Sequence, residues 1–233
     1  MSDWIEKNGN WSIVCGEKGT LNCWRNSIGQ GLEFQSAEFS KSIRLFGLPQ
    51  IVQGNVSEAY SRNGCLYYQS VGSPGQPYSV ECRCDLQPDW LQESKLTCAV
   101  DWELSVSTSC LGIEPIDLVS VILPNGHSIK PLVTLGTDKN SPIVSASQCD
   151  NGQIVDFENQ LAMLAVDAND FSTRDIERGD DCLTFHFHLQ SSRMEKGVIR
   201  RYRMCFAIAH RDDESELRNV FRAFDRSMIP LGS

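Results

Sequence analysis

The stretch Glu58-Ala-Tyr-Ser-Arg-Asn-Gly-Cys-Leu-Tyr-Tyr-Gln69 predicts a β-hairpin. Asn63 and Gly64 suit the two central positions of a type I′ turn, because that turn requires positive φ at both residues. A two-residue loop also determines which residues of the two strands face each other. The predicted cross-strand pairs are Arg62 with Cys65, Tyr60 with Tyr67, and Glu58 with Gln69. These side chains therefore share one face of the hairpin.

The same kind of pattern runs through most of the chain and predicts an all-β fold. Short runs rich in β-branched and aromatic residues, such as Leu96 to Ser107, are separated by turn residues. Asn125-Gly126 and Asn151-Gly152 lie between such runs and are also predicted type I′ turns. We expect one domain over residues 1–233, a mainly antiparallel β-sandwich of roughly 12–16 strands, with a barrel as the alternative. The segment Phe157 to Val166 fits a helix or a strand.

One helix is predicted near the C-terminal end, over about residues 213–228. Asp213 and Glu216 have the spacing of a capping box at its start, and Pro230 and Gly232 end the pattern. Apolar residues recur at helical spacing at Leu217, Val220, Phe221, Phe224 and Met228, and the opposite face carries Arg218, Arg222 and Arg226. We expect the apolar face to pack on a sheet and the arginine face to be solvated.

Composition excludes several classes of protein. The 233 residues carry a formal net charge of −9, which disfavours a nucleic-acid partner. No apolar run approaches the roughly 20 residues of a membrane span, and residues 1–14 do not resemble a signal peptide. We therefore expect a soluble cytoplasmic protein, the alternative being a secreted chain whose signal was removed. The motifs of P-loop, dinucleotide-binding, nucleophile-elbow and zincin proteins do not occur, and no cofactor is expected. The oligomeric state is left open.

Ten cysteines are spread along the chain without a CxxC pair. This spacing supports neither a zinc ribbon nor a thioredoxin-like motif. Cys82 and Cys84 would lie on one face of a strand about 7 Å apart at Cα, which is poor geometry for a disulfide. Cys15 and Cys23 flank a predicted hairpin but fall out of register. We predict that most of the cysteines are thiols buried as small hydrophobes.

The stretch Cys182-Leu-Thr-Phe-His-Phe-His-Leu-Gln190 alternates polar and apolar residues and predicts a strand. His186 and His188 project together from its polar face. The next run alternates likewise, with Val198, Tyr202, Met204, Phe206 and Ile208 inward and Arg201, Arg203 and Cys205 outward. If the two runs pair as a hairpin, the histidines lie near the arginines, which favours an anionic ligand and disfavours a bound metal. The simpler interpretation is a polar face with solvent or hydrogen-bond partners.

The strand Leu96 to Ser107 carries Asp101 and Glu103 on the face opposite its apolar side chains. Their spacing of about 7 Å is near that of the carboxylates in inverting glycosidases. An ordinary solvent-facing strand surface is the simpler interpretation. The acidic segment Asp167 to Asp181 is interpreted as a solvated loop.

Three classes of function remain open. A module that binds carbohydrate or another small polar or anionic ligand is preferred, because sugar rings stack on aromatic side chains flanked by polar groups. Its predicted ligand-binding residues are Tyr60, Tyr67, Glu58, Arg62, Arg201 and Arg203. A sugar-active isomerase or hydrolase would use His186 or His188 with Asp101 or Glu103, assisted by the same two strand arginines. A structural or regulatory interaction protein would use the helix or a free sheet edge.

Overall fold

The computed structural model describes residues 3–15, 19–24, 30–48, 56–71, 78–86, 96–109, 118–124, 126, 128–132, 151–157, 159–167, 169–189 and 195–227. Several residues named above lie outside these ranges, namely Asn125, Gln190, Met228, Pro230 and Gly232, and so do two of the ten cysteines, Cys110 and Cys149.

Sixteen strands and one helix lie in the described ranges. The strands are β1 (Ile5–Lys7), β2 (Asn10–Cys15), β3 (Gly19–Cys23), β4 (Leu32–Ser36), β5 (Ile43–Gly47), β6 (Val56–Arg62), β7 (Cys65–Val71), β8 (Tyr78–Asp85), β9 (Cys98–Thr108), β10 (Leu118–Pro124), β11 (Ser128–Leu132), β12 (Gly152–Phe157), β13 (Gln160–Val166), β14 (Phe171–Arg178), β15 (Cys182–Leu189) and β16 (Ile199–His210). A 3₁₀ turn (Arg211–Asp213) leads into helix α1 (Glu214–Arg226).

The strands form two antiparallel sheets of eight strands each. Sheet I has the order β1-β2-β3-β4-β5-β10-β15-β14, and sheet II has the order β11-β12-β13-β16-β9-β8-β7-β6. Both are open sheets with edge strands, and their inner faces share one apolar core. Phe46 of sheet I and Trp102 of sheet II stack across this core, with ring centroids 4.9 Å apart. The predicted antiparallel sandwich is confirmed, and the single domain over 1–233 stays a prediction.

Asn63-Gly64 forms the expected hairpin turn, and Asn8-Gly9 forms a second turn of the same kind. Asn63 and Gly64 have φ of 52° and 78°, and Asn8 and Gly9 have φ of 56° and 77°. Positive φ at both central residues defines the type I′ turn, whose twist matches that of the flanking strands. The predicted register of the β6–β7 hairpin is confirmed at all three residue pairs.

The turn predicted at Asn151-Gly152 is wrong, and Asn125-Gly126, of which Asn125 lies outside the described residues, does not connect two strands of a hairpin. Gly126 lies where the chain passes from β10 in sheet I to β11 in sheet II, so no hairpin forms there. Gly152 opens β12, and a Cβ at this residue would lie 2.6 Å from Cε2 of Phe221. Neither glycine has positive φ. Both are required for close packing rather than for a turn.

Helix α1 covers part of the outer face of sheet II. Leu217, Val220, Phe221 and Phe224 are buried against a second apolar cluster that includes Met163 and Ala207. This confirms the predicted docking of the helix. The capping box is wrong, because Asp213 makes no side-chain capping bond. The helix is too short and too polar to cross a membrane.

Three further predictions are decided by the strands. The ambiguous segment Phe157 to Val166 contains the end of β12 and all of β13, so it is strand. The acidic segment Asp167 to Asp181 is not a loop, because most of it forms edge strand β14. Val198 is 41 % exposed rather than inward. The other four predicted inward residues of that run are core residues.

Candidate functional site

Tyr60 and Tyr67 form a stacked pair on the outer face of sheet II, which we call the tyrosine platform. Their ring centroids are 5.1 Å apart and their planes differ by 12°. The pair results from the hairpin register, which places the two residues directly opposite each other on β6 and β7. Tyr60 lies on the edge strand and stays 45 % exposed despite the stacking. An aromatic surface is therefore presented to solvent.

Arg83 lies beside Tyr67 in the same cross-strand row, on the side towards the centre of sheet II. The sequence analysis did not predict a role for this residue. On β8 it lies opposite Tyr67 on one side and Glu103 of β9 on the other. Its guanidinium donates to Glu103 Oε1 at 3.1 Å and to Asp85 Oδ2 at 3.0 Å. Partial burial raises the pKa of Glu103, and the Arg83 charge opposes that rise. Glu103 is thus an ion-pair partner on a half-buried strand surface.

Polar side chains surround the tyrosine platform. Glu58 and Arg62 lie on β6 two residues either side of Tyr60, and both are exposed. Gln69 lies opposite Glu58 on β7, and its amide donates to the Ser79 hydroxyl at 3.3 Å. The predicted grouping of these polar residues with the tyrosines on one face is confirmed by the register.

Asp101 and Arg203 form a buried ion pair, which corrects the prediction of a solvent-facing strand. Arg203 Nη2 lies 2.6 Å from Asp101 Oδ2, and Nε lies 2.9 Å from Oδ1. Arg203 also donates to the backbone oxygen of Ser227 at 2.8 Å and lies over the Phe224 ring at 4.5 Å. Both residues face outward from sheet II, as expected from alternation, but the end of α1 covers them. A ligand on the open face does not reach this guanidinium.

Arg201 shares the outer face of sheet II with the tyrosine platform but is distant from it. The cross-strand row Glu58, Gln69, Glu81, Ser105 and Arg201 runs from β6 to β16. Four strand spacings separate its ends, which is about 19 Å. Arg201 is exposed. It therefore lies at the opposite side of the same surface.

His186 and His188 lie on the outer face of sheet I, so the predicted hairpin of β15 with β16 is wrong. β15 pairs with β10 and β14, whereas β16 pairs with β9 and β13 in the other sheet. In this arrangement the apolar faces of both strands meet across the core. The histidines are consequently separated from Arg201, Arg203, Asp101 and Glu103. Neither the anion site nor the acid/base grouping that requires both strands is formed.

Each histidine has a carboxylate partner from β14 instead. His188 Nε2 lies 2.9 Å from Asp175 Oδ2, and His186 Nε2 lies 3.6 Å from Glu177 Oε2. Both carboxylates are largely exposed. These contacts match the simpler interpretation of a hydrogen-bonded polar face. Within the described ranges, no three histidine, cysteine or acidic side chains are grouped to hold a metal ion. The expected lack of a bound metal stays a prediction.

Comparison with known proteins shows the fold alone. No protein-family model matches the sequence, and no curated protein matches it. A mutant of the heparan sulfate lyase HepC from Pedobacter heparinus superposes with a TM-score of 0.51 at 9 % identity. A second structure of that lyase gives a TM-score of 0.50 at 7 % identity. In each case the match covers 90 % of this chain and 36 % of the lyase chain. The chain therefore resembles about a third of a much longer protein.

Proposed function

We propose that the protein binds carbohydrate, and that a sugar ring stacks on Tyr60 at the edge of sheet II. The observation that carries the proposal is the stacked Tyr60–Tyr67 pair with Tyr60 45 % exposed. The apolar face of a pyranose ring packs well against an aromatic ring that a neighbouring aromatic holds in place. Holding the ring in advance also reduces the entropy that binding costs.

Polar groups beside Tyr60 provide hydrogen bonds to the sugar hydroxyls. Glu58 accepts, Arg62 donates, and both are exposed on the same strand face as Tyr60. Such planar groups bond hydroxyls in pairs and give a stacked sugar a defined orientation. Each is two residues from Tyr60, about 7 Å at Cα, which is within reach of a ring seated on the tyrosine.

Charge on this face favours an uncharged glycan over a sulfated one. On strands β6 to β8 and at Glu103 of β9, this face carries four carboxylates, at Glu58, Glu81, Asp85 and Glu103, and two arginines, Arg62 and Arg83. Arg83 is already engaged by two of those carboxylates. The whole chain has a formal net charge of −9. A polyanionic chain would therefore be repelled. The two superposed structures are those of a heparan sulfate lyase, but their likeness concerns the fold and does not transfer that substrate.

The test is a binding measurement with neutral tetrasaccharides of glucose, mannose and xylose, and with heparan sulfate as the anionic probe. We expect at least one neutral tetrasaccharide to bind and heparan sulfate to bind more weakly. Tyr60→Ala is expected to weaken binding about tenfold or more, because it removes the stacking surface. Tyr60→Phe retains the ring and is expected to bind within about threefold of the unmodified protein.

Ile199→Ala is the matched control, because Ile199 is an exposed apolar residue on the same outer face and lies far from β6. It should leave binding unchanged. The proposal fails if Tyr60→Ala binds as tightly as the control. It also fails if heparan sulfate binds more tightly than every neutral glycan, or if no neutral glycan binds.

A further inference from the structure

A cleft of about 350 Å³ opens on the outer face of sheet I, on the opposite side of the molecule from the tyrosine platform. Its described lining residues are Trp24, Gln30, Gly31, Glu33 and Arg44. The size falls within the range of small-ligand sites in proteins. None of these residues belongs to the surfaces predicted from the sequence.

Gly31 lies opposite Trp24 at the edge of the cleft. Cys23 and Leu32 are the last paired residues of β3 and β4, so Trp24 and Gly31 face each other one position further on. Gly31 has φ of +73°, and a Cβ at this residue would overlap the carbonyl oxygen of Leu45. The absent side chain is thus a requirement of the backbone. Trp24 is 40 % exposed beside the cleft.

A β-bulge in β5 forms the adjoining wall. Arg44 pairs with Ile122 of β10, and Gly47 pairs with Ser120. Four residues of β5 therefore lie opposite three residues of β10, so β5 carries one extra residue. Phe46 in this bulge has φ of +57°, a conformation that is sterically disfavoured for a bulky residue. Its ring is held by stacking on Trp102 in the core. Bulges and strained backbone are concentrated at binding sites, where they direct side chains.

Two planar polar groups lie next to the exposed indole. Glu33 and Arg44 are directly opposite each other on β4 and β5, and both are on the outer face. Because a carboxylate and a guanidinium project from directly opposite residues, the cleft has no net positive charge of the kind that a phosphate requires. Together they offer donors and acceptors to an uncharged, hydroxyl-rich molecule.

We infer that the Trp24 cleft is a second carbohydrate site, in which one pyranose ring stacks on Trp24 and its hydroxyls bond Glu33 and Arg44. The inference is independent of the tyrosine platform, since it depends on other residues in the other sheet. The two sites would face in opposite directions, so one molecule would hold two glycan chains.

The experiment uses Tyr60→Ala, in which the platform is disabled, labelled with ¹⁵N in the tryptophan indoles. The Trp24 resonance is assigned by its loss in Trp24→Ala. Neutral tetrasaccharides of glucose, mannose and xylose are titrated in turn, followed by inorganic phosphate. We expect saturable movement of the Trp24 resonance with at least one tetrasaccharide and none with phosphate. Trp24→Ala is expected to weaken calorimetric affinity about tenfold or more, whereas Trp24→Phe retains most of it.

Arg44→Gln and Glu33→Gln should each weaken affinity several-fold. Val14→Ala, at another exposed apolar residue of the same outer face, is the control and should bind normally. The inference is overturned if no tetrasaccharide moves the Trp24 resonance, if phosphate moves it, or if Arg44→Gln matches the control. If Tyr60→Ala abolishes binding at the tyrosine platform while glycan still shifts the Trp24 resonance as in the unmodified protein, the two sites are independent and both proposals are supported.

Discussion

The Arg203 guanidinium and the Asp101 carboxylate form two parallel hydrogen bonds, 2.9 and 2.6 Å long, between neighbouring central strands of sheet II. The end of helix α1 covers the pair through Ser227 and Phe224. The pair therefore couples the outer face of the sheet to the helix that covers it. Loss of either charge removes the counterion of the other, buried charge.

Breaking this pair should strongly destabilise the fold. Asp101→Asn is expected to lower the free energy of unfolding by about 3–5 kcal/mol, because the Arg203 charge then remains buried without its counterion. Urea denaturation measures the change. Glu214→Gln is the control, since Glu214 pairs with Arg218 at the surface and such pairs contribute at most about 1 kcal/mol. Equal effects of the two substitutions would contradict the structural role of the pair.

Asp170 should make the protein less stable as the pH rises towards neutrality. Burial, together with the negative charge of Asp167, raises the pKa of Asp170 to about 7. Between the unfolded pKa near 3.8 and the folded pKa near 7, the folded state holds a proton that the unfolded state has released. The stability that this group contributes is therefore full below pH 4 and is lost as the pH rises to 7.

Asp170→Asn tests this pH dependence. The amide oxygen can still accept the bond that Arg203 N–H donates to Asp170 at 2.9 Å. We expect the variant to be more stable than the unmodified protein at pH 8, by about 1 kcal/mol after allowance for solvent screening of this partly exposed group. The difference should vanish near pH 4. A constant difference at every pH measured by urea denaturation would show that Asp170 does not titrate in this range.

Gly152 and Phe221 should show a strong interaction in a double-mutant cycle. Gly152→Ala is expected to cost about 1–3 kcal/mol, because the new methyl group would overlap the Phe221 ring. Phe221→Leu shortens the side chain and should relieve the overlap. The double variant should therefore be more stable than the sum of the two single effects by about 1 kcal/mol. Simple additivity in thermal or urea unfolding would show that the packing of Phe221 does not require a glycine.

The cysteines should react slowly in the folded protein. Eight are free thiols within the described ranges, and seven of these are buried. Burial raises the pKa of Cys23 to about 12 and also raises that of Cys205, so little thiolate is present at pH 8. Only Cys182 of this set is partly exposed. The test uses a background variant in which Cys110 and Cys149, the two cysteines outside the described ranges, are both replaced by serine. In that background, Cys182→Ser should remove the fast phase of the reaction with a thiol reagent.

Thiol titration of the unfolded, unreduced protein tests the redox prediction itself. We expect most of the ten cysteines to be titrated. Fewer than about four free thiols would indicate a disulfide-bonded protein and would contradict the prediction of a cytoplasmic location.

Features that depend on neighbouring residues were predictable from the sequence. The Asn63-Gly64 turn determines its own register, and alternation in Cys182–Leu189 shows which face is apolar. The apolar face of α1 follows from spacing alone. Each of these depends on fewer than about 15 consecutive residues, where steric and periodic rules act directly.

Features that depend on which strands pair, or on which strands the helix covers, were not predictable from the sequence. Alternation identifies the apolar face of a strand but not its partner, so the pairing of β15 with β16 was wrong. Asp101 was expected to be solvated because nothing near it in sequence indicates that α1 covers it. The Trp24 cleft requires three strands and a bulge, and a lone Trp and Gly in the sequence give no sign of it.

The position of β16 in sheet II determines when this protein can fold during synthesis. β16 lies between β13 and β9, so it joins a three-stranded block to a four-stranded block that otherwise share no ladder. Until the ribosome has released residue 210, the long edges of β9 and β13 have no partner on that side. β13 is buried along its whole length in the finished fold. Because β9 ends at residue 108 and β13 at residue 166, both edges stay unpaired until β16 has been made, and we expect them to be the places where the nascent chain can associate with other chains.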